Sequence, residues 1–297
     1  MKVGILGSGF GIYGYLPAII NSNYKALTLE KYRPLIEKRH ELQKYVNNIS
    51  FLRGEEELIE NIDALVLART PKLQYEFLCK QLLDGVHLFL EKPIAPTCDT
   101  HEDLIYRLKG RDASFSIAYL FEFTKWWANL KDIFTSAGLP QVSINWTIVR
   151  PISDWKNNTR VGGGFADYYG IHFIPLLIEL GFSVSDIRIT ARESDLNITA
   201  TMSGNAEFVI NLTYGDTQSF EVYSHSQNGT TTSIFIQSSP FGLSPNKGAP
   251  DPRISYLGAY LSRFNIRAKI SLDTYYLEKE ILNFRRLAQE SLFRNSR

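Results

Sequence analysis

The chain has 297 residues, 44% hydrophobic and 21% charged, with 32 basic and 31 acidic side chains and a net charge of +1. This is the make-up of a folded chain long enough for one large or two ordinary domains. The charge balance gives no footing for nucleic acid or an anionic membrane, and no apolar run reaches the ~18 residues of a spanning helix. Cys79 and Cys98 are too few for a disulfide framework or a thiolate metal cluster, so no metal is expected.

The opening MKVGILGSGF runs straight into glycines, without the long apolar region and cleavage site of a signal peptide. A cytoplasmic location is therefore expected, and the sequons at Asn145, Asn197, Asn211 and Asn228 are expected to carry no glycan. Abundant Tyr, Phe and Trp suit a deep core or a sugar-sized cleft.

KVGIL (2–6) is a short apolar strand that ends in GSGFG, and YLPAIINS (15–22) follows with helical spacing. Strand, glycine turn and helix open a dinucleotide-binding βαβ unit. Gly7 allows the tight turn. Gly9 lets the backbone approach a pyrophosphate at the positive helix N-terminus, with Phe10 and Gly11 completing the turn. The G-x-G-x-x-G pattern from Gly7 fails at Ile12, and the register Gly9, Gly11, Gly14 starts late after the strand. ALTLE (26–30) reads as the second strand. Glu30 at its end can accept both ribose hydroxyls and would repel a 2′-phosphate, whereas Lys31 and Arg33 would welcome one. NAD is thus favoured slightly over NADP.

Helical spacing follows over 33–45. IDALVLA (62–68) is nearly continuously apolar, as in a parallel strand covered on both faces. KLQYEFLCKQLLDG (72–85) is an amphipathic helix with Gly85 as its C-cap signal. VHLFLEKP (86–93) is a further strand, stopped by EKP. The alternation predicts a doubly wound parallel sheet, that is, an α/β Rossmann domain over 1–120.

The segment DALVLARTPKLQYEFLCKQLLDGVHLFLEKPIA (63–95) resembles the Gfo/Idh/MocA family, the glucose–fructose oxidoreductase and inositol dehydrogenase-like oxidoreductases. GSGFGIYGYLPAI (7–19) resembles the same family's opening, and GGGFADYYGIH (162–172) falls where the family places its glycine-rich motif and catalytic helix. The resemblance implies a pyridine-nucleotide oxidoreductase that moves hydride between nicotinamide and a carbinol or carbonyl carbon of a sugar, polyol or nucleotide sugar. Lys92 of EKP would stand beside the nicotinamide at the carboxyl end of a strand, where open α/β sheets bind ligands. Pro93 restricts the lysine backbone, and the ammonium there could stabilise a developing alkoxide. Glu91 would be its ion partner or a ligand of the ribose or nicotinamide. Thr70 and Pro71 match the loop that passes under the cofactor, and Gln74 stands where many relatives carry His.

The catalytic helix departs from the family's pattern. Relatives pair Asp and His four residues apart, on one helix face. Here Tyr168 stands four before His172. Asp167 stands five before it, about 140° around a regular helix, so the two share a face only if the first turn is irregular. Pro175 removes a backbone donor three residues on. Three readings stay open. His172 is the general acid/base with Lys92 as electrostatic partner and Tyr168 on the substrate; or Tyr168 is the proton donor; or the site binds nucleotide with little chemistry, as a sensor or scaffold would. A reductase of a non-sugar carbonyl, an imine or a conjugated double bond is a further alternative.

In the second half, FEFTKWWANLKDIF (121–134) reads as an amphipathic helix, with Phe121 and Phe123 resembling the family's Y-x-F lead into its second domain. Alternating runs at 141–151, 187–193, 196–201, 206–213, 218–225 and 231–238 read as strands without intervening helices, hence a mostly antiparallel sheet. YYLEKEILNFRRLAQES (275–291) is a closing helix. The expected second domain, 121–297, is α+β with one open sheet, whose exposed face commonly pairs with another subunit. A homodimer or homotetramer is expected. RPISDWKNNTRVGGG (150–164) is expected to line the substrate cleft, with Arg150, Trp155, Lys156 and Arg160 available to a phosphate or carboxylate. The Pro/Gly stretch 240–252 reads as a lid or subunit contact.

Overall fold

A computed structural model describes residues 1–81, 83–110, 114–136, 141–150, 154–202, 206–226, 229–242, 248–263 and 272–295. In chain order the regular elements are β1 (Lys2–Leu6), α1 (Leu16–Asn21), β2 (Lys25–Leu29), α2 (Arg33–Glu37), β3 (Ile49–Leu52), α3 (Glu55–Glu60), β4 (Ala64–Leu67), α4 (Pro71–Lys80), β5 (His87–Leu90), α5 (Cys98–Gly110) and β6 (Phe115–Ile117). Then come α6 (Lys125–Ser136), β7 (Gln141–Ile148), α7 (Asp154–Asn157), α8 (Ile174–Glu179), β8 (Ile187–Ala191), β9 (Asp195–Met202), β10 (Ala206–Tyr214), β11 (Ser219–His225), β12 (Thr231–Gln237), α9 (Ile254–Arg263) and α10 (Leu272–Asn295). Among the described residues no helix is long and apolar enough to cross a membrane.

The chain divides into two compact units, Met1–Leu120 with Pro245–Tyr275, and Phe121–Ser244 with Tyr276–Arg297. Pro245–Tyr275 groups with the first unit, not with the second domain expected over 121–297. There α9 packs beside α1 and buries Leu257, Tyr260 and Leu261. An amphipathic helix of ten residues does not announce which sheet it covers.

The first unit is a six-stranded sheet of order β3-β2-β1-β4-β5-β6, parallel throughout. This is the doubly wound Rossmann order. Strands β4 and β5 are buried along their whole length, as their largely apolar sequence requires between two helical layers. Two expected helices are shorter than their apolar spacing. The 33–45 helix stops at Glu37, extended Arg39 interrupts it, and 3-10 turns follow over His40–Asn48. The 72–85 helix stops at Lys80 because Gln81 is extended. Gly85 takes its left-handed φ of 75° in the turn beyond, not as the helix cap.

His87 is buried within this sheet. Its Nδ1 lies 2.6 Å from Ser114 Oγ and its Nε2 3.0 Å from Ser116 Oγ, and Ser116 in turn meets Tyr260 Oη at 2.8 Å. Burial lowers its pKa from 6.5 to about 4. The unfolded chain therefore takes up this proton first. Stability present above pH ~6.5 should fall between pH ~6.5 and ~4, by on the order of 3 kcal/mol from this residue. His87→Asn should flatten that limb in a urea-denaturation series across pH. An unchanged limb would show that other groups govern it.

The second unit carries a six-stranded sheet of order β12-β11-β7-β10-β9-β8. All its pairs are antiparallel except β7 with β10. Along β7, β9 and β11 buried and less buried residues alternate, so one face is core and the other polar. On the polar face Asn197, Asn211 and Asn145 stand in register on three neighbouring strands. Asn197 Nδ2 donates to Asn211 Oδ1 at 2.7 Å and Asn211 Nδ2 to Asn145 Oδ1 at 3.0 Å. Three of the four sequons are thus strand alternation, with Asn and Thr on one outward row. Asn228 lies outside the described residues, as do 151–153 of the expected cleft loop and 243–247 of the expected lid.

Candidate active site

In the first unit the cradle begins where β1 runs out. Gly7 has φ 147°, and a Cβ there would sit 2.1 Å from the Ala68 carbonyl oxygen at the end of β4. Only glycine tolerates both conditions. A Cβ on Gly9 would meet nothing within 4 Å, so the backbone face there is open to a ligand. Gly11 is pressed against Ile5 and Ala68. Gly14 makes room for Phe10, whose ring lies 2.2 Å from where a Cβ would be. This explains the broken glycine pattern. The helix starts with a π turn over Gly11–Tyr15, Ile12 goes into the core, and the glycine expected at 12 is used at 14 to seat an aromatic ring. Phe10 is therefore a packing residue, covered at 3.9 Å by the Arg253 guanidinium, and its side chain is not a cofactor ligand.

At the end of β5, Tyr15 Oη donates to Glu91 Oε1 at 2.8 Å, tying the EKP segment to the cradle helix. Burial pushes the Glu91 carboxyl up, while the Tyr15 hydrogen bond, Lys92 and Arg253 pull it back. Burial also pushes the Tyr15 hydroxyl well up, with Glu91 adding to it. Asp251 holds Arg253 through both carboxylate oxygens, at 2.9 and 2.8 Å. Lys92 follows in half-buried surroundings, joined to Pro93 by a cis peptide.

Gln74 corrects an expectation. It is fully buried, and its Nε2 donates to the Glu91 carbonyl at 2.8 Å and the Ile94 carbonyl at 3.1 Å, while its Oε1 accepts from Glu91 N–H at 3.2 Å. All three bonds clamp the backbone on either side of Lys92–Pro93. Gln74 supports the strand end rather than binding cofactor. An amide has the donors and acceptor for three such bonds, which a single imidazole does not. Thr70 is the N-cap residue of α4 but makes no capping bond, and Pro71 is buried at the first helical position.

Glu30 lies one residue beyond β2, in a 3-10 turn. Arg33 holds it, Nε on Oε1 at 2.5 Å and one terminal nitrogen on Oε2 at 3.0 Å. That guanidinium lowers the Glu30 pKa. It also lies 3.9 Å over the Phe51 ring.

In the second unit the glycine run has a packing cause. Gly162 and Gly164 take φ of 86° and 87°. A Cβ on Gly163 would fall 2.1 Å from the Trp155 carbonyl oxygen. The run thus folds α7 down on the helix that follows. Trp155 packs edge-on against Tyr168 at 5.3 Å, and Lys156 Nζ sits 5.3 Å from the Tyr168 ring centre. Arg150 lies over Tyr214, whose hydroxyl donates to Asn157 Oδ1 at 3.1 Å. Arg160 is exposed and contributes a backbone N–H to Asn158. Arg150, Trp155, Lys156 and Tyr168 thus share one aromatic and cationic surface, with Tyr214 and Asn157 added.

The first turn of the helix is indeed irregular: a π turn over Phe165–Tyr169, then a 3-10 turn over Gly170–His172. Its acid is committed elsewhere. Asp167 Oδ1 accepts from Arg285 Nε at 2.8 Å and Oδ2 from a terminal nitrogen at 3.1 Å, both residues buried. The carboxylate expected as a catalytic group is thus held by a buried arginine. It anchors the segment to α10, a contact 118 positions away that local spacing could not reveal. His172 is buried and stacks on Phe121, with ring centres 4.4 Å apart and planes 16° apart.

Residues 1–119 match the sequence model of an oxidoreductase family, NAD-binding Rossmann fold, Gfo/Idh/MocA. An uncharacterized oxidoreductase of Synechocystis sp. is 23% identical over 174 residues, which are 55% of this chain and 47% of that protein. The match therefore spans about half the length of this curated relative.

Solved dehydrogenase structures share the fold over nearly the whole chain. A myo-inositol dehydrogenase from Corynebacterium glutamicum superimposes with a TM-score of 0.71 at 13% identity, over 99% of this chain and 97% of that one. A dehydrogenase from Chromobacterium violaceum gives 0.69 at 19% identity, over 99% and 94%. The WlbA dehydrogenase from Thermus thermophilus, in complex with NAD and UDP-GlcNAcA, gives 0.68 at 15% identity, over 98% and 94%. The first unit is thus an NAD-binding Rossmann fold, and its cradle fits the dinucleotide: Gly7 where a side chain would collide, Gly9 where the backbone is open.

Proposed function

We propose that the protein is an NAD-dependent dehydrogenase or reductase of a sugar, polyol or nucleotide sugar, working in the cytoplasm as a homo-oligomer joined through its open sheet. The observation that carries the reading is the EKP strand end: Lys92 at the carboxyl end of β5, braced by Gln74 and, through Glu91, tied to the helix that holds the pyrophosphate. NAD supplies the hydride acceptor or donor when bound. The Lys92 ammonium donates a hydrogen bond to the reacting oxygen and stabilises negative charge as it develops. His172 takes the hydroxyl proton in oxidation and returns it in reduction. Stacking on Phe121 fixes the plane of its ring. Trp155, Tyr168 and Tyr214 offer flat faces to a pyranose or a base. Lys156 and Arg150 beside them suit a phosphate or carboxylate on the substrate.

The commitment of Asp167 to Arg285 favours the second reading, a nucleotide-binding protein with little chemistry, because relatives keep an acid beside the histidine. The test is turnover of NAD or NADH with a panel of sugars, polyols, their acids and nucleotide sugars, comparing wild type with His172→Asn. A substrate turned over by wild type and slowed about a hundredfold or more in the variant is expected, within the span of acid/base contributions. Tight NAD binding with no turnover of any panel member would transfer the assignment to the sensor reading.

A further inference from the structure

We propose that Arg253, brought back to the first unit by the distal segment Pro245–Tyr275, binds the pyrophosphate of the dinucleotide. The proposal rests on the dinucleotide reading of the glycine cradle. It adds a residue that neither the cradle nor the EKP strand end contains.

A pyrophosphate brings negative charge on each of its phosphates to the turn after β1. From Gly7 to Pro17 the chain carries no charged side chain. The turn itself therefore offers backbone N–H groups and no cation. The residue just before α9 supplies one. The Arg253 guanidinium lies 3.9 Å over the Phe10 ring. Phe10 directly follows Gly9, whose backbone face is open to a ligand. Arg39 also reaches this segment, but over the Tyr13 ring at 5.0 Å, one helical turn beyond Gly9.

The guanidinium is held in place before any ligand arrives. Asp251 accepts from its Nε at 2.9 Å and from a terminal nitrogen at 2.8 Å. The Asp251 side chain is only 11% exposed, that of Arg253 28%, so the clamp is largely covered while the arginine still meets solvent. The Arg253 carbonyl accepts from Leu257 N–H at 2.8 Å, which roots the residue at the start of α9. That helix is fastened in turn by its buried Leu257, Tyr260 and Leu261, and by Tyr260 Oη at 2.8 Å from Ser116 Oγ. A long side chain confined in this way loses little further freedom on binding. Arg253 also acts electrostatically on the Tyr15 hydroxyl and the Glu91 carboxyl. It thus stands between the glycine turn and the EKP strand end, the two points the dinucleotide joins. Asp251 orients the planar fork, and phosphate oxygens form charge-assisted bonds to a guanidinium in that same plane.

The test is calorimetric titration of the whole, nucleotide-free protein with NAD and ADP, with adenosine read by displacement of NADH. Arg253→Met keeps a side chain over Phe10 without the charge. In it NAD and ADP should each bind at least about tenfold more weakly, the size expected for loss of a charge-assisted hydrogen bond, while adenosine stays within about twofold of wild type. Arg253→Lys should recover part of the ADP affinity, because it returns the charge without the fork. If Arg253→Met does not fold, Arg253→Lys carries the test, and should weaken ADP more than adenosine. ADP and adenosine weakened by the same factor would make Arg253 a prop for the turn. ADP within about threefold of wild type would deny it the phosphates. Either result overturns the proposal and leaves the dinucleotide reading intact, whereas wild type that binds no nucleotide overturns both.

Discussion

Lys92→Ala should lower hydride-transfer turnover at least about a hundredfold, as removal of an oxyanion-stabilising group does, while leaving the NAD dissociation constant within about threefold. The split is the point. The glycine cradle and the Glu91–Tyr15 bond hold the dinucleotide unit together without the ammonium, so binding and chemistry should separate. Single-turnover measurement with NADH, alongside calorimetry of NAD, reads both. Lys92→Arg should recover little, because a planar fork cannot replace a compact ammonium at a fixed distance from one oxygen. Turnover within threefold of wild type in Lys92→Ala would remove the lysine from the chemistry. Loss of NAD binding in the same variant would instead make it a cofactor anchor.

Arg285→Met should destabilise the second unit by about 3–5 kcal/mol, because it strands the Asp167 carboxylate in the core. At this chain length that corresponds to a fall in Tm on the order of 10 °C. Combining it with Asp167→Leu should return most of the loss, since two apolar side chains of similar volume need no partner. Urea denaturation of the single and double variants forms the cycle. If the single variant loses less than about 1 kcal/mol, as exposed pairs do, the pair does not anchor the helix start. If the double variant regains stability and also keeps turnover, Asp167 has no part in the reaction beyond placing its segment.

Much of this was legible in the residues. The parallel sheet could be read from KVGIL, LVLA and HLFL because strands covered on both faces have no polar row to confuse them. The second sheet could be read from strict alternation. The elements not foreseen, β3, α3, α5, β6, α7 and α9, are short or only weakly periodic. Glycine spacing showed that a turn was needed after β1. It could not show that Phe10 fills the space at Gly14, because that depends on a π turn no local propensity dictates. Likewise EKP marked the strand end, but the role of Gln74 emerged only when α4 was laid beside β5. The surroundings of Asp167 were the least legible. From the helix alone it was the acid nearest the histidine. Its partner Arg285 was hidden in a mixed-charge helix where arginine ordinarily faces water.

The chain crosses between its two units three times, after residues 120, 244 and 275. The stretch that matches the family, residues 1–119, is therefore a unit of ancestry but not a unit of folding. The helix that covers α1 is made well over a hundred residues later, with the whole second sheet synthesised in between. On the ribosome, the Rossmann sheet must wait with an uncovered apolar face until Leu257, Tyr260 and Leu261 emerge. The two units thus mature in an interleaved order, the second sheet complete in the nascent chain before the cofactor-binding unit has its last layer.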